Sequence, residues 1–185
     1  MERHVPLAYL ITFTCYGKRL HGDEDGSVNR SQNIPDTPLL PPRRGWVTTA
    51  QRQMKQQPYA LNRARRAIVL RAVRQHCAHR GWRLSAAHVR STHVHIVVAA
   101  DQTPEKILTE IKAYASRALK EQDAGDGAQK RWARHGSTRY LWQPKHVAAA
   151  VEYVVYGQGE PMAVWRESEP RPQGSGGESE RCLIL

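Results

Sequence analysis

Two histidines separated by one residue carry the strongest chemical signal in the sequence. His93 and His95 open the segment HVHIVVAA, whose β-branched residues are typical of a strand. Side chains two positions apart on a strand point to the same face, so both imidazoles project together while Val94 faces the other way. Two neutral imidazoles this close can bind a divalent metal ion, but hydrogen-bonded or solvated histidines would have the same spacing. His88, on the preceding segment, is either a supporting partner of the pair or an exposed residue.

A helix late in the chain carries two tyrosines that are candidate nucleophiles. The segment PKHVAAAVEYVVYGQGE predicts a helix from Pro144 that fades at Gly157 and has a stripe of valines on one face. Tyr153 and Tyr156 both lie outside that stripe, and the helical wheel does not distinguish between them. Each is therefore a surface residue, an anchor onto another element, or a nucleophile.

Tyrosine suits one reaction in particular. A phenolate can attack a phosphodiester in line and form a covalent link that stores the bond energy for later rejoining. An ordinary phenol has a pKa of about 10, so it needs help from a nearby metal ion that polarises the phosphate. The histidine pair and the outward-facing tyrosines together are therefore more informative than either feature alone.

The elements that would position these residues can be derived from periodicity and breaker residues. Their order predicts the α+β class, as a ferredoxin-like split βαβ sandwich with an additional C-terminal helix that carries the tyrosine. The predicted elements are a strand (8–16), a long loop (17–45), a helical stretch interrupted near Pro58 (49–79), two hairpin strands (82–90 and 93–100), a helix from Thr103, a short strand (139–142) and the helix from Pro144.

Length and composition favour a single domain. The 185 residues are enough for one buried core, which we expect within residues 1–164. From Trp165 onward the chain is rich in Glu, Pro, Ser and Gly without periodicity, which predicts a disordered tail over residues 165–185.

The charge of the chain points to nucleic acid as its partner. Lys and Arg number 28 against 17 Asp and Glu, which gives a formal net charge of +11. No apolar run approaches the length of about 20 residues that spans a bilayer, so we expect no membrane partner. The three widely spaced cysteines, Cys15, Cys77 and Cys182, support neither a disulfide framework nor a zinc site and favour a cytoplasmic location.

Basic and aromatic residues on the later elements are candidates for a track that binds phosphates and unpaired bases. Each of them singly is more simply explained as a solvated charge or a packed ring, so the hypothesis concerns the set. The candidate phosphate contacts are Lys112, Arg117, Lys120, Arg139 and Lys145. The candidate stacking residues are Tyr114, Tyr140 and Trp142.

Four segments together resemble the single-tyrosine HUH transposases, which include the REP-associated tyrosine transposases. They cover most of the chain between Ala8 and Glu160, apart from the long loop. The histidine block after a two-strand hairpin is the most specific of them, followed by the helix with its tyrosine. The segments are AYLITFTCYG, HVRSTHVHIVV, ILTEIKAYASRALK and YLWQPKHVAAAVEYVVYGQGE.

The resemblance implies a complete reaction. His93 and His95 would bind Mg²⁺ or Mn²⁺, and Tyr153 would attack single-stranded DNA to leave a 5′-phosphotyrosine and a free 3′-hydroxyl. The DNA would usually carry hairpins, and the insertion-sequence members of the family are dimers, so a homodimer is a further expectation. In the family a Gln one helical turn after the tyrosine is commonly a third metal ligand. Gly157 occupies that position here, so Gln158 is the candidate third ligand only if the helix breaks at Gly157.

Two other functions are compatible with the sequence. A domesticated, non-catalytic relative would bind DNA or RNA hairpins without cutting them. The Lys/Arg-Gly-Phe/Tyr-Gly/Ala-Phe run of RNA-recognition domains is absent, which counts against an RNA-recognition version. A metal-dependent phosphodiesterase that uses water should need more ligands near the histidine pair, and the end of that strand offers only Asp101.

Overall fold

The computed structural model describes residues 5–18, 44–123 and 129–168. They form an α+β structure in which helices pack on a five-stranded antiparallel sheet, so the predicted class is confirmed. The elements are β1 (Ala8–Cys15), α1 (Arg44–Arg52), α2 (Arg63–His79), β2 (Arg83–Val89), β3 (His93–Ala99), α3 (Pro104–Gln122), β4 (Trp132–Leu141), α4 (Pro144–Val155) and β5 (Ala163–Arg166).

The strand order in the sheet is β4-β1-β3-β2-β5. β3 pairs antiparallel with β1 on one side and with β2 on the other, so β1 and β2 run in the same direction with β3 between them. β4 and β5 form the two edges of the sheet. The strand that carries the histidine pair is therefore the central one.

Alternation along the strands gives the sheet two different faces. On β3, Val94, Ile96 and Val98 belong to the apolar cluster formed with α2 and α3, whereas Val97 belongs to the cluster formed with α4. Because successive side chains point to opposite faces, His93 and His95 lie on the same face as Val97. The predicted common face of the two histidines is thus the face that α4 covers.

The helices α2 and α3 cover the face that bears Val94, Ile96 and Val98, and they begin and pack as their sequences predict. Asn62 caps α2 by accepting a hydrogen bond from the Arg65 N–H at 2.9 Å, and Pro104 occupies the first turn of α3, where its missing N–H costs nothing. Buried residues recur every four positions along α3 and form its packing stripe. They are Ile107, Ile111, Ala115 and Leu119.

Among the described helices, α4 is the one that covers the second face. Ala150, Val154 and Val155 are the buried residues of this 12-residue helix, and they pack against apolar side chains of β1, β2 and β3. Val147 and Val151 of the predicted valine stripe are partly buried against the same cluster. Tyr153 and Tyr156 are exposed, as the helical wheel predicts.

Several predicted boundaries differ from the structure. The helical stretch over 49–79 is two helices, because α1 ends at Arg52 and α2 starts only after Pro58. The short strand predicted over 139–142 is the ten-residue β4, whose mostly exposed side chains hide the alternation of a half-buried strand. Close pairing of β4 with β1 requires Gly136, where a Cβ would lie 2.7 Å from the Thr12 carbonyl oxygen.

The end of the described chain also differs from the prediction. β5 pairs with β2 through Trp165 and Arg166, two residues that the sequence analysis assigned to the tail. Four residues followed by a polar segment give too short a pattern for a strand to be recognised. The tail beyond residue 168 and most of the predicted 17–45 loop lie outside the described residues. Within the part of the chain that is described, no helix is long and apolar enough to cross a membrane.

Candidate active site

A row of polar side chains crosses four neighbouring strands beneath α4. Thr12 of β1 lies opposite Ser137 of β4 on one side and opposite His95 of β3 on the other. His95 in turn lies directly opposite His88 of β2. Directly paired residues point to the same face of a sheet, so these four side chains form a continuous line, which we call the polar row (Ser137, Thr12, His95 and His88).

The two histidines of β3 are oriented by threonine hydroxyls. Their ring centroids are 4.8 Å apart and the ring planes are nearly perpendicular at 87°. The Nδ1 atom of His95 lies 2.8 Å from the Thr12 hydroxyl oxygen, and the Nδ1 atom of His93 lies 3.0 Å from that of Thr92. In the neutral tautomer that donates Nδ1–H to the hydroxyl, Nε2 is the candidate metal ligand of each ring.

Tyr153 on α4 lies next to His95 of the histidine pair. Its ring packs edge-on against His95, with centroids 5.8 Å apart and an angle of 86° between the planes, while 46% of the residue remains exposed. Tyr156, the rival nucleophile, is the C-cap residue of α4 and is 66% exposed. Contact with a histidine of the pair therefore distinguishes Tyr153, which the helical wheel could not do.

His88 fastens the end of α4 to the sheet. It is fully buried, its Nδ1–H donates to the Val154 carbonyl oxygen at 2.9 Å, and its Nε2 accepts from the Met162 N–H at 3.3 Å. Burial lowers the pKa of His88, with the nearby Arg90 charge acting in the same direction, so the neutral ring is favoured. The prediction that His88 is exposed is therefore wrong, and the hydrogen bonds described here connect His88 to α4 and to the segment that follows it.

The turn after α4 determines where Gln158 lies. α4 ends at Val155, and the Gln158 side-chain amide donates to the Tyr153 carbonyl oxygen at 3.3 Å. A Cβ at position 157 would lie 2.8 Å from that same oxygen and 3.0 Å from a ring carbon of Tyr153. Glycine at position 157 therefore permits this packing. The helix does break here, but the described contact of Gln158 is with the backbone of Tyr153.

The donor set is compatible with a hard divalent ion that keeps water or substrate ligands. Among the described residues no cluster of three or more His, Cys, Asp or Glu could enclose a metal. Mg²⁺ usually takes only one or two protein ligands, most often carboxylates, and completes its coordination shell with substrate phosphates and waters. His93 and His95, each oriented through Nδ1, fit the protein share of such a site.

A groove runs from the histidine and the tyrosine to the β4 edge of the sheet. Its volume is about 620 Å³. Residues of α4 line one side of the groove, and residues of β1, β3 and β4 line the other. Its lining residues include Thr12, His95, Arg139, Trp142, His146 and Tyr153.

The five predicted phosphate contacts are divided between the two faces of the sheet. Arg139 is exposed and lines the groove, and Lys145 is exposed in the first turn of α4. Arg117 and Lys120 are exposed on α3, on the opposite face. The sequence placed all five in one track, and it could not tell that the sheet separates them.

Lys112 differs from the other four. It is half-buried, and its ammonium group donates to the carbonyl oxygens of Ala133 at 2.9 Å and His135 at 3.1 Å. Burial lowers the pKa of Lys112 to about 8. These bonds tie α3 to the beginning of β4, a structural role that the sequence analysis did not foresee.

Comparison with known proteins shows which family the chain matches. The family model described as "Transposase IS200 like" matches residues 46–157. Among solved structures, a similar chain is a REP-associated tyrosine transposase bound to a REP hairpin. It is 13% identical, with a TM-score of 0.46, and the match covers 85% of the present chain and 70% of that one. No curated protein matches the chain.

Proposed function

The chain belongs to the IS200-like transposase family, and from that premise we propose that it is a metal-dependent endonuclease and strand transferase acting on single-stranded DNA. The proposal assigns the activity to one single-tyrosine HUH domain over residues 1–164. It is supported most directly by one contact, the edge-on packing of the Tyr153 ring against His95 beside His93.

Tyr153 is the proposed nucleophile. Its phenolic oxygen loses its proton and attacks a DNA phosphorus in line, forming a new P–O bond while the bond to the 3′-oxygen breaks. The 3′-oxygen takes up a proton and leaves as a hydroxyl, and the other fragment stays attached as a 5′-phosphotyrosine. In the strand-transfer step a 3′-hydroxyl attacks that phosphotyrosine, which releases the phenol and restores a phosphodiester.

His93 and His95 are the proposed ligands of a Mg²⁺ or Mn²⁺ ion. An ion bound by these two rings would polarise the attacked phosphate and neutralise charge that develops on it. Thr12 and Thr92 keep each ring in the orientation that presents Nε2, because each hydroxyl is bonded to Nδ1. Gln158 remains the proposed third ligand, and it would have to exchange its bond to the Tyr153 carbonyl for the metal.

His88 contributes by holding the tyrosine helix in place. Its Nδ1–H bond to Val154 fixes the residue next to Tyr153, and its bond to Met162 fixes the segment that leads into β5. A nucleophile on a fixed helix needs less reorganisation to reach the in-line geometry than one on a mobile segment. His88 is therefore a positioning residue in this proposal.

The proposed partner is single-stranded DNA, usually with a hairpin. Arg139 and Lys145 would contact phosphates near the cut, while Arg117 and Lys120 would contact a part of the DNA that reaches the other face of the sheet. Lys112 would contact phosphate only by giving up the carbonyl oxygens it now binds. A homodimer and a cytoplasmic location complete the proposal and follow from the family resemblance and the cysteine pattern.

The decisive experiment uses a pool of hairpin oligonucleotides with random single-stranded flanks, labelled at the 5′ or the 3′ end, with Mg²⁺, Mn²⁺ or EDTA. We expect a protein–DNA adduct that carries only the 3′-labelled fragment and disappears with EDTA. Tyr153→Phe should abolish the adduct, since it removes only the hydroxyl. Tyr156→Phe, a matched loss of one hydroxyl three residues away, should leave it unchanged.

Each other result excludes part of the proposal. An adduct that survives in Tyr153→Phe and is lost in Tyr156→Phe would reassign the nucleophile. Cleavage without an adduct would indicate a phosphodiesterase that uses water. Hairpin binding without cleavage in any metal would support the non-catalytic, domesticated binding module instead.

A further inference from the structure

Helix α2 is strongly basic and presents part of its charge to solvent. Its 17 residues include five arginines and no acidic residue. Two of the arginines have partners within the protein, because Arg65 pairs with Asp123 at 3.0 Å and Arg66 donates to the Leu61 carbonyl oxygen at 3.0 Å. The three others, which are exposed, are Arg63, Arg71 and Arg74. Three exposed positive charges on one helix favour a polyanionic partner.

These three arginines form a stripe along the outside of α2. At 100° per residue they fall within an arc of about 80°, and Arg63 and Arg74 are about 16 Å apart along the helix axis. The first turn of α2 lies beside the turn between β2 and β3, because the Leu61 N–H donates to the Ser91 carbonyl oxygen at 2.8 Å. One end of the stripe is therefore close to the turn that leads into the histidine pair.

At the other end of the stripe, residues of α2, β2 and β5 line a groove of about 490 Å³. We call it the arginine groove (Arg71, Arg74, Arg83, Trp165 and Glu167). Its three arginines against one carboxylate give it a net charge of +2. The Glu167 carboxylate already binds Arg83, with 2.9 Å between Oε2 and Nε. Within the groove, the charges of Arg71 and Arg74 are thus left for an external anion.

Trp165 orients the side chain of Arg74. The Arg74 guanidinium carbon lies 5.2 Å from the centroid of the Trp165 ring, and that ring packs against the apolar cluster under α2 and α3. Trp165 is paired on the sheet with Ala87 of β2, a fully buried member of the same cluster. A guanidinium group stacked on a fixed ring loses little conformational freedom when it binds a phosphate.

The groove suits the phosphate backbone of a duplex better than an unpaired strand. Sites for single strands usually add open aromatic faces on which bases stack. The aromatic lining residues here are Trp82, which is 7% exposed, and Trp165, which packs against Arg74 and the apolar cluster. Duplex DNA needs no such face, because its phosphates lie on the outside with one negative charge per about 1.7 Å of helix axis. Guanidinium groups bind such phosphates through paired hydrogen bonds.

We propose that the arginine groove and the stripe along α2 bind the phosphate backbone of the duplex stem of a DNA hairpin, on the opposite face of the sheet from Tyr153. The inference rests on the proposed function. It adds the surface that holds the paired part of the DNA while the unpaired part reaches the histidine pair. Arg71 and Arg74 contact phosphates in this scheme, and Trp165 is a positioning residue that acts through Arg74.

The test measures the affinity of the full chain for a DNA hairpin with a single-stranded flank over a range of KCl concentrations. Arg71→Gln and Arg74→Gln should each weaken binding and reduce the slope of log affinity against log salt by about 1, and the double variant should reduce it by about 2. With a stemless strand of the same length and flank sequence, both variants should bind as the wild type does.

Arg166 provides the matched control. It follows Trp165 on β5, but it pairs with Glu152 of α4 at 3.0 Å and so lies on the other face of the sheet. Arg166→Gln removes the same charge as Arg74→Gln and should leave the affinity for the stem and its salt dependence unchanged.

Trp165→Leu tests the positioning role. Leucine keeps an apolar side chain on β5 but offers no ring to Arg74. In protein that melts as the wild type does, Trp165→Leu should weaken binding of the hairpin by less than Arg74→Gln does. Added to Arg74→Gln, it should cause no further loss. An equal loss in both backgrounds would overturn the positioning role, because it would not depend on Arg74.

The outcomes separate the inference from the proposed function. If Arg71→Gln and Arg74→Gln bind the hairpin as the wild type does, or if Arg166→Gln weakens binding as much as they do, the stem surface is overturned and adduct formation at Tyr153 is unaffected. If they weaken binding of the stemless strand equally, the surface follows unpaired DNA, which also overturns the inference. If they weaken binding of the stem and the wild type never forms the adduct, the stem surface stands and the proposed cutting fails.

Discussion

The two faces of the central sheet are built from the same strands and are packed in different ways. On one face, α2 and α3 cover a broad apolar cluster that draws side chains from β1, β2 and β3. On the other face, α4 covers a smaller cluster, and the polar row of Ser137, Thr12, His95 and His88 lies beside it. The face under α2 and α3 therefore buries mainly apolar side chains. The face under α4 buries fewer apolar side chains, because the polar row occupies part of it.

The difference between the two faces shows how one strand can contribute to stability with one set of side chains and position candidate site residues with the other. On β3 the fully buried Ile96 faces α2 and α3, and His95, its neighbour, faces Tyr153. Because neighbouring side chains point in opposite directions, the apolar face holds the backbone of the histidine rigidly without contacting the site. We therefore expect mutations on the two faces to have separable effects.

The largest effect that would sharpen this comparison is the loss of stability in Ile111→Ala. Ile111 is 1% exposed in the stripe of α3, so truncating it leaves a cavity and should lower the free energy of unfolding by about 2–5 kcal/mol. Urea denaturation measures the loss, with the half-buried Val151→Ala on α4 as the matched, smaller truncation. Adduct formation per folded molecule should be unchanged in Ile111→Ala. A specific loss of adduct in fully folded Ile111→Ala would contradict the separation of the two faces.

A medium effect on activity is expected for Thr12→Val. Valine keeps the shape of threonine but cannot bond to the Nδ1 atom of His95, so the ring loses its orienting partner. Loss of such a partner typically lowers metal affinity or activity by about 10- to 100-fold, while stability should change by only about 1 kcal/mol. Mn²⁺ titration of adduct formation measures this. Thr138→Val, on the neighbouring strand and the opposite face, is the control, and an equal loss in both variants would argue against an orienting hydroxyl.

The smallest effect concerns pH and a histidine of the apolar face. Burial lowers the pKa of His76, although Glu110 at 3.1 Å opposes the shift. Its folded pKa therefore lies below the ordinary value of 6.5, so as pH falls the unfolded chain takes up the proton first. The free energy of unfolding should accordingly decrease as pH falls below that value.

Comparison of variants isolates the contribution of His76. His76→Gln should show a smaller decrease between pH 7.5 and 5.5 in urea unfolding than the wild type does. The exposed His79→Gln, three residues away on the same helix, should retain the full decrease. An unchanged pH dependence in His76→Gln would show that other groups cause the acid sensitivity.

The sequence sufficed for features that depend on local periodicity. The common face of His93 and His95 and the outward position of Tyr153 depend on the repeat of a single strand or helix. Thr12 and His88 could not be identified as partners, because that requires the register of β3 against β1 and β2. An apolar strand with a threonine at every second position, as in ITFTC, was the available signal, but Thr12 and Thr14 fit it equally.

Other differences between the sequence-based predictions and the structure arise from packing between elements that are distant in the chain. Whether a lysine on an amphipathic helix is solvated depends on which backbone passes over it, so the bonds of Lys112 to β4 left no trace in the sequence pattern. The division of the predicted phosphate contacts between the two faces of the sheet also left no trace in the sequence pattern. A helical wheel gives the direction of a side chain relative to its own helix, and it does not give the side of the sheet to which the helix docks.

The hydrogen bond between His88 and Val154 spans 66 positions and that between His95 and Thr12 spans 83, so formation of the site depends on the order in which the chain is synthesised. At roughly 5–20 residues per second, the ribosome reaches α4 several seconds after β3. β1, β2, β3, α2 and α3 can condense in that interval, because they precede α4 in the chain. The nascent protein can thus acquire its folded scaffold while it still lacks α4, and under the proposed function it could cut DNA only once residues 144–166 have been synthesised and have docked.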